Sequence, residues 1–139
     1  MAVFTLTDAH VIVNGVVLSD HANAVTVTDE KEPQDFTAFG ATNRVLGKGL
    51  GTGSIAITFF QDMAAGKTHA TLQPLIQSTT GVVIEVRATS AARSATNPAA
   101  LMTGLLMNYN MLSGGIGEPS MIEAEFQNNS QTGITYPTA

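Results

Sequence analysis

The chain has 139 residues, a formal charge of −5, a pI near 4.9 and no cysteine, which excludes disulfides, thiolate zinc sites and cysteine nucleophiles. Six Lys and Arg scattered along an acidic chain speak against a surface that grips nucleic acid, which needs clustered cations. Mean hydropathy is positive (+0.17) with only 12% charged residues, yet no apolar run reaches the roughly 18 residues of a membrane span, so the excess apolar surface is expected to be hidden against partners.

The first segment, from Met1, lacks a basic stretch and a small-residue cleavage site, so no secretory signal is expected. Val11–Val13 and Val16–Leu18 flank Asn14-Gly15, a pair that tolerates the positive φ angles of a two-residue hairpin turn. Val25 and Val27 alternate with Thr26 and Thr28 as a second strand. The charged run Asp29–Glu32 ahead of Pro33 reads as a turn, and Phe36–Phe39 as the start of another strand. Residues 40–53 hold five of the thirteen glycines and read as a long loop or open hairpin, suited to contact with a partner. Ile55, Ile57 and Phe59 then alternate with small residues in a strand.

A helix is expected within residues 62–79, capped by Asp62 or Thr68, with Leu72, Leu75 and Ile76 on one face. Pro74 must then lie in its first turn or kink it. Val82, Ile84 and Val86 should face away from Val83, Glu85 and Arg87, and Ile122, Ala124 and Phe126 away from Glu123 and Glu125. Leu101–Met107 is apolar on both faces, as in a strand covered on both sides. Residues 88–99 read as a loop, and 128–139 as a polar tail. One domain is expected over 1–139.

Motifs that invite a catalytic reading fail on context. Gly66-Lys67-Thr68 resembles the end of a phosphate-binding loop, but position 61 is Gln where that motif needs Gly. The run from Gly47 to Gly53 leads into a β-alternating segment rather than the helix of a dinucleotide site. His10, His21 and His69 show no metal-ligand spacing, although His10 and His21 flank the hairpin and could meet. The sequon at Asn128 reads as chance without export, and nothing nominates a nucleophile.

The order of elements, with the phrases VIVNGVVLSD, TAFGATNRVLGKGLGTGSIAITFFQD, HATLQPLI, SAARSATNP and GEPSMIEAEF, resembles the major tail tube protein of long-tailed bacteriophages, particularly the compact form of actinobacterial phages. The resemblance spans about residues 8–136. It implies a mainly β, antiparallel sandwich or barrel-like subunit with one short flanking helix, and neither enzymatic activity nor a cofactor or metal. Six copies would form a ring, and stacked rings a tube in the virion tail, assembled in the host cytoplasm. The implied partners are further copies, the tape-measure protein, the tail terminator and the distal tail or baseplate proteins, with DNA passing through transiently and no membrane insertion. In that setting Glu85, Arg87, Glu123 and Glu125 are expected to face the lumen. Arg44, Leu46, Gly47, Lys48, Gly49, Leu50 and Gly51 would form the subunit or inter-ring contact. A capsid decoration protein and a small β-sandwich carbohydrate-binding module stay open as other readings.

Overall fold

A computed structural model describes residues 3–139, and within them seven strands and one helix follow in the order β1 (His10–Val13), β2 (Val16–Val17), β3 (Ala22–Asp35), β4 (Leu46–Phe60), α1 (Thr68–Ile76), β5 (Val82–Arg87), β6 (Ala99–Tyr109) and β7 (Met121–Asn128). All pairings are antiparallel, in one sheet of order β2-β1-β5-β6-β7-β4-β3. The chain is thus mainly β with one short helix, as its period-two patterning predicts. Valines of β1 (Val11, Val13), next to one edge of the strand order, and of β3 (Val25, Val27), at the other edge, pack on one hydrophobic core. The sheet therefore curls on itself in a barrel-like way.

Alternation decides which face is core. Ile55, Ile57, Phe59, Ile84, Met102, Ile122, Ala124 and Phe126 are all buried to within 1%, and their outward neighbours in register form the opposite face. The Asn14-Gly15 turn has φ of 51° and 81°, the two positive angles of a type I′ turn. β6 buries Met102 and Leu106 and leaves Leu101 and Leu105 half-buried and Met107 exposed.

Several local expectations need correction. Asp29–Glu32 is no turn, and of the two readings of residues 40–53 the hairpin is the one that forms: both segments lie in a long β3–β4 ribbon in which Asp35 pairs Leu46 and Asp29 pairs Gly53. Charges are tolerated there because both faces of a two-stranded ribbon reach water. Pro33 fits because β3 is an edge strand with a register shift between Lys31 and Pro33. Gly47, Gly49, Gly51 and Gly53 alternate along β4, so one face of it carries no side chains. A Cβ there would collide with Phe36, Gln34 or Lys31, and at Gly53 it would come within 3.0 Å of Ile134. Phe36–Phe39 lies at the ribbon tip outside any strand.

The helix, Thr68–Ile76, lies within the expected residues 62–79, but its cap differs. Lys67, not Asp62 or Thr68, occupies its N-cap, without a side-chain cap bond. Thr68 instead donates to the Phe60 carbonyl at 3.1 Å. Pro74 sits near the C-terminal end, where only two more helical residues follow. Leu72 and Leu75 enter the core, whereas Ile76 is exposed. The polar tail is anchored: Ile134 is buried, Thr135 and Leu101 exchange two backbone bonds of 2.9 Å, and Tyr136 donates to Asp29 at 2.8 Å.

Candidate functional site

Ser54, paired with Gln127, is the last β4 residue toward the ribbon tip to have a partner on β7. Beyond it, Asp29–Asp35 and Leu46–Gly53 pair only with each other, and the C-terminal tail touches just the base of the ribbon, at Asp29 and Gly53, so the hairpin leaves the sheet as a two-stranded arm. Such a ribbon is marginal alone in water, and this one also exposes Phe36, Phe39, Val45, Leu46 and Leu50. Its tip is nevertheless ordered. Asp35 accepts from the Thr37 amide at 2.9 Å and from Arg44 at 2.8 Å, and Val45 N–H donates to Thr37 Oγ1 at 2.8 Å. The bonds from Thr37 and then Arg44 hold the Asp35 carboxyl below its ordinary range. Arg44, Leu46, Gly47, Lys48, Gly49, Leu50 and Gly51 thus all lie on this arm. Gly51 pairs with Lys31 of the charged run, and Leu50 falls in the register shift beside it.

The outward face of the sheet carries Glu123 and Glu125. Glu123 stands opposite Thr58 and is exposed. Glu125 stands between Ala56 on β4 and Asn108 on β6 and is half-buried. Gln127 donates to the Glu125 carboxylate at 2.6 Å. Across β4 and β3 the same face presents Ser54, Ala56, Thr58, Thr26 and Thr28, a smooth surface of small side chains around two acids.

Glu85 and Arg87 share that face on β5, in a different setting. Glu85 is buried beneath two arginines, paired with Arg93 and 3.4 Å from Arg87 Nε. Its charge is consumed inside the subunit, where it ties the 88–98 loop to the sheet. The four expected lumen residues therefore split into an exposed and a half-buried carboxylate, Glu123 and Glu125, and a pair, Glu85 and Arg87, held in a cluster where one carboxylate faces two guanidinium groups.

The remaining polar centres tie segments of the subunit to one another. His10 lies near Ser19 Oγ at 3.4 Å, while His21 bridges Asp20 and Asp62, so the two histidines have separate partners. Hydrogen bonds that His21 donates to both carboxylates raise its pKa, the one to Asp20 most. His69 Nδ1 contacts Tyr109 OH at 2.7 Å. Lys67 of the Gly-Lys-Thr sequence lies 3.9 Å from Asp20, and Gln61 donates to Tyr109 and the Met111 carbonyl. Among the described residues no cluster of three potential metal ligands occurs.

Two features escaped the sequence reading. One is the 111–120 loop between β6 and β7, which exposes Met111, Leu112 and Ile116; three apolar residues among glycines and serines were the available signal. The other is Ile134, a lone apolar residue in a polar tail.

No family model and no curated protein matches this chain. Solved structures do. The chain is similar to one in the virion of a native gene transfer agent particle, with TM-score 0.73 and 12% identity over 94% of this chain and 95% of the other. It is similar to the SPP1 tail tube, with TM-score 0.72 and 14% identity over 95% and 77%. A third is the tail of an empty gene transfer agent particle with C6 symmetry, at TM-score 0.67 and 12% identity over 84% and 82%. At such identities the likeness is one of fold: the chain has the tail tube fold.

Proposed function

We propose that this chain is a structural, non-enzymatic subunit of a phage-type tail tube. Six copies form a ring, rings stack into the tube, and the channel holds a tape-measure protein before conducting DNA. The observation that carries the reading is the arm. A two-stranded ribbon with five exposed large apolar residues is marginal in a solitary subunit, and contact with neighbouring copies would satisfy both its backbone edges and its side chains. The shared fold supports the same conclusion, and closing such sheets into a ring removes their edges.

The sheet face with Glu123 and Glu125 is then the channel wall. Six copies at −5 each carry −30 per ring, and duplex DNA carries one negative charge per roughly 1.7 Å. A smooth acidic wall repels the polyanion and lets it slide, whereas a ring of cations would hold it. Partners at the two tube ends, a terminator and distal tail proteins, follow from the same reading, as do a single tail tube domain over 1–139 and a location in the virion tail.

Sedimentation velocity over a concentration series tests the proposal. Growth from monomer to large polymer with rising concentration is the expected result; a monomer at every concentration and salt would overturn it.

A further inference from the structure

Resting on the tube reading, we infer that the 111–120 loop is the acceptor for the arm of a second copy in the adjacent ring, with Lys48 of one copy against Glu118 of the other. The two surfaces lie at opposite ends of one strand. The arm carries Leu46 at the start of β4, and the Gln61 amide, just past its end, donates to the Ser120 carbonyl at 2.8 Å. From Lys48 to that loop is roughly 40 Å along the strand. No subunit can therefore close this contact on itself, and repetition of a head-to-tail contact produces a stack.

The surfaces match in chemistry. The arm as a whole carries Asp29, Glu30, Glu32 and Asp35 as well as Lys31, Arg44 and Lys48, but its tip, residues 36–50, contains only the two cations Arg44 and Lys48; residues 110–121 contain Glu118 and no base. Arg44 is engaged with Asp35, while among the described residues neither Lys48 nor Glu118 has an ion-pair partner. Around these charges stand fully exposed Phe39 and Leu50 (83% exposed) on the arm, and fully exposed Ile116 and Leu112 (71%) on the loop. Apolar anchors beside one complementary charge pair supply affinity and register respectively.

The acceptor is also pre-shaped. Ser120 Oγ donates to the Ser113 carbonyl at 2.9 Å, and Glu118 N–H donates to the Gly115 carbonyl at 3.2 Å. These bonds close the loop at its base and hold Ile116 outward. Gly117, at φ 82°, adopts a turn that other residues resist. Little ordering entropy remains to oppose docking.

Carbodiimide coupling of assembled wild-type protein, which joins a lysine amine to a carboxylate as an amide, tests this without any variant. Mass spectrometry of a mixture of light and isotope-labelled copies should give a Lys48–Glu118 peptide carrying one label, absent from dilute monomer. Glu118→Lys should reduce polymer roughly tenfold at fixed concentration, and adding Lys48→Glu should restore it to within about twofold. Circular dichroism of the exposed-site variants establishes that they fold. Tubes lacking that cross-link, or indifferent to Glu118→Lys, would overturn the docking and leave the tube reading intact. A wild-type chain that never polymerises would overturn both.

Discussion

His21 and Asp62, 41 residues apart in sequence, meet at 2.8 Å, and the other imidazole nitrogen of His21 lies 2.8 Å from Asp20. This bridge fastens the start of β3 to the link between β4 and α1. Only a doubly protonated ring donates to both carboxylates at once. Lys67, 3.9 Å from Asp20, is the other charge at the cluster.

The bridge has a pH window. Its bonds raise His21 above 6.5, and lower Asp20 (chiefly through His21) and Asp62 (chiefly through the Ala64 amide, then His21) below 3.8. His21 stabilisation is therefore complete below its ordinary pKa and lost as pH rises through its raised folded value. The carboxylate part is present above the ordinary value and lost as pH falls through the lowered one. Melting temperature should fall as pH rises from about 6 to about 9, and His21→Gln should remove that slope. Identical pH profiles for the two proteins would contradict the assignment.

Phe126 is fully buried in the core from the centre of the sheet. Phe126→Ala should cost about 3–5 kcal/mol by leaving a cavity. Urea unfolding should show a lower midpoint at unchanged slope.

Gly53 lies against Ile134, the apolar anchor of the tail. Gly53→Val should displace that anchor at a cost of about 1–3 kcal/mol. Limited proteolysis should then cut within residues 129–139 sooner than in wild type.

The arm should be separable from the core. Deleting Gly47–Gly51 alone would leave Lys31–Gln34 without partners, so the informative variant removes both sides and joins Asp29 to Gly53 by a short turn. Folding should survive, as judged by melting temperature, and polymerisation should disappear. Normal tubes from this variant would show that the arm is no contact.

Glu123→Lys with Glu125→Lys should leave tubes assembled and slow or block DNA passage. In a ring of six the change adds twelve cations facing a polyanion, and the inhibition should weaken with added salt. A structure of the tube with both side chains on its exterior would end the lumen assignment.

What the sequence made legible was the part governed by period two. Ile55, Ile57 and Phe59, and Ile122, Ala124 and Phe126, alternate because one face meets core and the other does not, and both strands sit as patterned. The arm was illegible for the converse reason. A ribbon wet on both faces has no apolar/polar alternation to read, and its glycine content fits a loop as well as a hairpin. The signal was the spacing: glycines at every second position mark a strand with one bare face, crossed by Phe36, Gln34 and Lys31. Glu85 does lie on the outward face that period two assigns, but period two does not reveal the arginines that cover it. Its second cation, Arg93, comes from a loop whose path local pattern does not specify.

The most direct measurement is electron microscopy of the purified, concentrated protein with averaging along any assembly. Hollow tubes of stacked sixfold rings, with the arm of each subunit on a neighbour and Glu123 and Glu125 lining the channel, are expected. Dispersed monomers, or assemblies with no axial channel, would contradict the tube.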